Sequence, residues 1–189
     1  MARWEPGARE RLEQAALELF GEQGFADTTV PQIAARAGLT TRTFFRHFAD
    51  KREVLFAGED DVPQLVAGYL AQAPADETPM QLIARGLPVM ATRLFDGRRD
   101  QLQNRHRVVA QDDGLRERDL HKRAALSDQI RAAFQARGVD PLTSTLTAEL
   151  AVTVMHTSLT RWLARNDDRA LADIVTDTLT ALRTLASDV

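Results

Sequence analysis

The chain contains no cysteine. Disulfide scaffolds, thiolate zinc sites, iron–sulfur clusters and cysteine nucleophiles are thereby excluded, and 189 residues must fold around an unaided apolar core. Aromatic residues make up 6% of the chain, with a single tyrosine, and of 24 basic residues only Lys51 and Lys122 are lysine. No apolar run approaches the roughly 18–20 residues that span a bilayer. The charged start MARWEPGARERLEQ lacks the apolar stretch of a secretory signal, so the expected location is the cytoplasm, with no membrane partner. Signatures of catalysis are missing too. There is no HExxH, Walker loop or GxSxG, and His47, His106, His121 and His156 share no ligand-like spacing with carboxylates. Neither an enzyme nor a metal or other cofactor is expected.

What is present is ordinary in amount and uneven in placement. Hydrophobic residues make up 44% and charged residues 27%, values typical of a globular domain. The net charge is −3, yet between 36 and 52 the cations Arg36, Arg42, Arg46, Lys51 and Arg52 face only Asp50. Residues 56–189 carry 16 basic against 19 acidic side chains. One basic patch on a mildly acidic body is the footprint expected for contact with a polyanion.

Strand-like alternation is missing and helical periodicity runs throughout, so the fold class is all-α. A first helix is predicted over Pro6–Gln23, with Leu12, Ala15, Ala16, Leu19 and Phe20 on one face. Thr29 and Gln32 have the spacing of a capping box, and Pro31 fits the first turn of a short helix over about 30–37 that ends at Gly38. Leu39 plugs the turn, and Thr40 caps a second short helix over about 41–47, Thr41-Arg42-Thr43-Phe44-Phe45-Arg46-His47. Two short helices around a glycine turn, the second one basic, form a helix-turn-helix whose second helix suits the major groove. A further helix is expected from Asp50 to about 70–72, its start offering Lys51 and free amides to a phosphate. Others are expected over 79–95 with a kink or break near Leu87 because of Pro88, then 100–110, 113–137, 142–165 and 169–186.

The segment TTVPQIAARAGLTTRTFFRHFADKREVL resembles the helix-turn-helix signature of the TetR family of transcriptional repressors. The matching positions are Thr28, Thr29, Ile33, Ala34, Ala37, Gly38, Leu39, Thr40, Phe44, Phe45, His47, Phe48 and Lys51, and the preceding Ala16–Val30 stretch is similar as well. A tyrosine is common in the family where this chain has Phe45, which keeps the apolar contact and loses a phosphate-binding hydroxyl. The resemblance implies a three-helix DNA-binding domain over 1–56 and a helical effector-binding and dimerisation domain over 57–189. It further implies a homodimer on a pseudo-palindromic operator, released by a small molecule, with activation as the other mode of regulation.

By the same resemblance Thr40, Thr43, His47 and Lys51 contact phosphates, while Thr41 and Arg42 reach base edges; Thr29, Phe45 and Arg46 complete the DNA-facing set. Against these stand blander readings: His47 packed between Phe44 and Phe48, Arg42 merely solvated or phosphate-facing, Arg46 and Arg52 flank or surface charges, and Arg3 a frayed terminus instead of a minor-groove arm. In the C-terminal part, Met90, Phe95, His106, Arg107, Phe134, Met155, His156 and Trp162 are the effector-pocket candidates, with ordinary core as the alternative. Leu171, Ile174, Val175, Thr178, Leu182 and Leu185 form one stripe that leaves Leu179 outside. Over 142–165, Val152, Met155, His156, Leu159, Trp162 and Leu163 form one stripe, and Leu146, Leu150 and Val154 a second. Such two-sided helices fit a four-helix bundle built from the last two helices of two subunits. A helical interaction protein that does not bind DNA explains the bundle helices but leaves the basic helix without a role.

Overall fold

The computed structural model describes residues 7–59 and 61–187, with no strand among them. The helices are α1 (Ala8–Gln23), α2 (Val30–Arg36), α3 (Thr41–His47), α4 (Val62–Gln72), α5 (Pro79–Phe95), α6 (Arg99–Ala110), α7 (Asp113–Ala136), α8 (Pro141–Leu163) and α9 (Leu171–Ser187). Side-chain capping sets many of these starts. Thr29 and Thr78 form capping boxes with Gln32 and Gln81, and Asp140 accepts the Thr143 amide at 3.0 Å ahead of Pro141.

Two expectations for the helices are corrected. The helix expected from Asp50 to about 72 is divided into a 3-10 segment, Glu53–Glu59, and α4. Pro63 falls in the first turn of α4, where its missing amide hydrogen costs no helical bond. Of the kink or break expected near Leu87, the break does not occur, since α5 continues through Pro88.

The chain divides into two compact units, and neither is continuous in sequence. One takes residues up to 61 together with 100–119; the other takes 62–99 and 120 onward. The boundary expected at 56/57 therefore leaves out that 100–119 groups with the N-terminal unit. The first unit is built on α1, whose Leu12, Ala16 and Phe20 are buried with Ile33, Phe44, Phe48 and Phe56. Val108 of α6 and Leu115 of α7 join that same core. Polar ties follow the packing: Asn104 donates to the Leu17 carbonyl at 2.8 Å, and Arg118 pairs with Glu53.

In the second unit α5, α8 and α9 pack on one another. The α8 face that enters this core is made of small residues, Ser144, Thr147, Ala148, Ala151, Val154 and Ser158, ending in Trp162. The large-residue stripes read from the sequence miss this, because close helix packing selects for small side chains. Val154, Trp162 and Leu163 of those stripes are buried, but Leu146 is exposed, and Leu150, Val152, Met155, His156 and Leu159 are half-buried. On α9 the expectation reverses at two positions: Leu179 is 4% exposed and in the core, whereas Leu185 is 68% exposed. The α8–α9 turn is held by Arg99, which donates to the carbonyls of Trp162 at 2.7 Å, Arg165 at 2.6 Å and Asp167 while stacking on the Trp162 ring.

Gly86 of α5 leaves room for the Tyr69 ring of α4. A Cβ there would lie 2.7 Å from Cε1 of Tyr69, well inside van der Waals contact. Alanine would otherwise be preferred in a helix interior by about 1 kcal/mol. Gly86→Ala is predicted to destabilise by about 1–3 kcal/mol through this overlap. Urea midpoints should show the loss largely relieved in the Gly86→Ala/Tyr69→Ala double variant, as contacting sites are non-additive.

Candidate nucleic-acid interface

The turn between α2 and α3 closes by backbone geometry that only glycine adopts easily. Gly38 has φ +66°, its amide donates to Ala35 O at 3.0 Å, and the Leu39 amide reaches Ala34 O at 2.8 Å. This is a Schellman motif, completed by Leu39 packing against the core. Arg11 of α1 donates to the Ala37 carbonyl at the end of α2. At the next helix start, Thr40 Oγ1 accepts the Thr43 amide at 3.2 Å and shares a hydrogen bond with the Thr43 hydroxyl at 3.1 Å.

The rotation of α3 is fixed by Phe44, fully buried, and by Phe48 just beyond the helix. Successive helical residues step by about 100°. With Phe44 inward, Thr41, Phe45, Arg42 and Arg46 fill one unbroken arc, and all four are exposed. Among the described residues Arg42 and Arg46 make no hydrogen bond or ion pair. Two guanidinium groups without internal partners on the outer face of a helix-turn-helix are available to a polyanion.

The remaining cations of the basic patch serve the fold. Arg36 forms a two-pronged pair with Glu22 at 2.9 and 2.8 Å, joining α2 to α1. That pairing holds the Glu22 carboxyl below the usual glutamate range. Arg52 pairs with Asp50, whose Oδ1 also accepts the amides of Arg52 and Glu53 at 2.8 and 3.0 Å. The amides expected to be free for a phosphate at this helix start are therefore occupied. Lys51 is enclosed further still. Its Nζ donates to the carbonyls of Phe25 at 2.7 Å, Thr28 at 2.8 Å and Ala26 at 3.2 Å, and lies 4.3 Å from the Phe25 ring centre. Burial pushes its ammonium below the usual lysine value. An ammonium has three hydrogens, and three carbonyls account for them. Lys51 thus ties down the loop that leads into Thr29, and contact with a phosphate would require it to leave these partners.

His47 is half-buried beside Phe48, its Nε2 buried and without a hydrogen-bond partner among the described residues. Thr29 is exposed, but its hydroxyl donates to Gln32 Oε1 at 2.8 Å within the capping box. Arg3 and the expected first helical residue, Pro6, lie outside the described residues.

The effector candidates do not gather as one set. Met90, Phe134 and Trp162 are buried and Phe95, Met155 and His156 half-buried in the second unit. His106 and Arg107 are exposed on the part of α6 that groups with the helix-turn-helix. The Trp162 indole already donates to Arg169 O at 2.8 Å, which makes it an anchor of the α8–α9 turn. The sequence reading missed Tyr69, whose hydroxyl is buried without a partner among the described residues. Its status as the chain's one tyrosine was the available signal.

For Lys51, a role in holding the loop and a role at phosphate make different predictions. Lys51→Ala is expected to lower stability by about 1–3 kcal/mol, the scale for hydrogen bonds to a charged group. The slope of log affinity against log salt on DNA should stay as in the parent. A slope shallower by about one would instead identify a direct phosphate contact.

Comparison with known proteins places this geometry in a family. The profile for bacterial regulatory proteins of the tetR family matches residues 13–57, from α1 into the 3-10 segment. The HTH-type transcriptional regulator TcmR of Streptomyces glaucescens is 33% identical over 138 residues, covering 70% of this chain and 61% of TcmR. That alignment therefore spans less than two thirds of TcmR. The HTH-type transcriptional repressor Rv3405c of Mycobacterium tuberculosis is 35% identical over 146 residues, covering 69% of this chain and 77% of its own. Among solved structures, the Thermus thermophilus repressor FadR in complex with lauroyl-CoA superposes with a TM-score of 0.55 at 26% identity, over 93% of each chain. The SmeT–triclosan complex gives 0.59 at 21% identity, over 93% of this chain and 90% of that one. TcmR and Rv3405c are named as regulators of transcription. With its helix-turn-helix matched in sequence and its helical architecture matched over nearly the whole chain, this protein belongs to the TetR family of bacterial transcriptional regulators.

Proposed function

We propose that the protein is a repressor that binds a pseudo-palindromic operator as a homodimer and is released by a small molecule held in its second unit. The observation that carries the DNA-binding part is the outward arc of α3, where Arg42 and Arg46 have no partner among the described residues and Thr41 stands beside them. In this role Arg42 bonds a guanine edge and Arg46 a phosphate, with Thr40, Thr43 and Thr29 near the backbone. Two copies of α3 enter successive major grooves about one helical turn apart. The bound dimer blocks transcription of a neighbouring gene.

Dimerisation is supported by apolar surface that a single chain leaves in water. Leu142 and Leu146 lie one turn apart on α8, and Leu185 is on α9, all exposed. Together they offer the last two helices to a second copy. The effector reading is supported by the composition of the second unit, which holds the apolar Met90, Phe95, Phe134 and Met155 together with the polar His156. The unpartnered Tyr69 hydroxyl adds a second polar handle. SmeT with triclosan and FadR with lauroyl-CoA are precedents for a small organic ligand on this fold. Release follows only if the effector binds more tightly to the state that does not hold DNA.

Gel-shift titration across salt concentrations is the direct test: nanomolar-range binding with a steep salt slope is expected, and no binding at low salt favours a helical interaction protein instead. Arg42→Ala should weaken the selected site by about 1–3 kcal/mol and leave binding to random DNA nearly unchanged. Equal loss on both would make it a phosphate contact. Paired Leu142→Glu and Leu146→Glu substitutions should reduce the sedimentation mass from two chains to one.

A further inference from the structure

We infer that Phe45 is a base reader whose ring seats against the 5-methyl group of a thymine in each half-site of the operator. The inference rests on the DNA-binding reading and adds the chemical group that this side chain recognises. Phe20, Phe44, Phe48 and Phe56 of the same unit are buried, whereas Phe45 is 58% exposed. A single exposed apolar residue is ordinary on a protein surface. This one has a particular setting, because Thr41 and Arg42 flank it on the outward arc of α3 and Arg46 completes that arc. The ring is also oriented from beneath: it meets Phe44 edge to face, with centroids 5.5 Å apart and planes at 83°. Phe44 is itself fully buried, so the outer ring stands on a fixed support.

A duplex groove offers phosphates and base-edge acceptors to the arginines, but few partners to a phenyl ring. The apolar group that a base pair displays in the major groove is the thymine methyl. A phenyl ring has no hydroxyl to donate to a phosphate, so attraction at this position comes from burying that methyl. Recognition then separates thymine from cytosine, and also from uracil, which differs from thymine only by the methyl group.

The experiment lets the full-length protein select sites from a randomised duplex library. The selected duplex is then rebuilt with each thymine replaced in turn, symmetrically in both half-sites, by uracil. One position should weaken wild-type binding by about three- to fivefold per half-site, the size expected for one buried methyl. The same replacement should have no effect on Phe45→Ala, and Phe45→Leu should retain part of the penalty. A flat uracil scan with wild-type protein overturns the inference, as does a penalty that persists in full in both variants. If no sequence is enriched from the library, the DNA-binding reading itself fails; enriched sites with a flat scan remove only the role of Phe45.

Discussion

The burial of Phe44 and Phe48 beneath α1 is the constraint from which the functional surface follows. Each large aromatic is worth several kilocalories per mole to the core. A helix of only seven residues has almost no stability of its own, so its rotation is decided by what it buries. Once those two rings point inward, the angular step of the helix leaves Thr41, Arg42, Phe45 and Arg46 no direction but outward. The outer face of α3 is therefore a consequence of packing, and a polar residue at position 44 would remove the support for the whole arc.

The six arginine and lysine side chains between residues 9 and 51 divide into two groups with different work. Arg9, Arg11, Arg36 and Lys51 each reach a carbonyl or carboxylate far away in sequence and fasten one element to another. Arg42 and Arg46 make no such link among the described residues. Charge in this region is thus mostly structural, and the part left for a ligand is confined to one helix. This also explains how a chain with a net charge of −3 presents a cationic face: the arginines that would blur it are neutralised against acidic or carbonyl partners.

What could be read from the sequence was what is local. The caps at Thr29 and Thr40 depend on a residue three positions on, and the turn at Gly38 depends on the absence of a Cβ, so short motifs carried both. Partners distant in sequence were not legible. Lys51 meets carbonyls 23 to 26 positions earlier, and Arg36 meets Glu22 14 positions earlier, distances at which no spacing rule operates. The grouping of 100–119 with the first unit depends on Asn104, Val108 and Leu115 finding α1 and its neighbours, which periodicity cannot foresee. Leu179 and Leu185 were misjudged for a related reason. A single stripe assumes one neighbour, whereas α9 packs on both α5 and α8. The α8 core face escaped notice because serine, threonine and alanine carry little weight in a count of large apolar residues.

The central claim is that the outer arc of α3 reads duplex DNA from two copies of the chain held together. Hydroxyl-radical footprinting of the purified protein on genomic fragments tests it most directly. The account predicts protection in two symmetric blocks whose centres lie about one helical turn apart on the same side of the duplex. Uniform protection that drifts with protein concentration, or none at low salt, would contradict it.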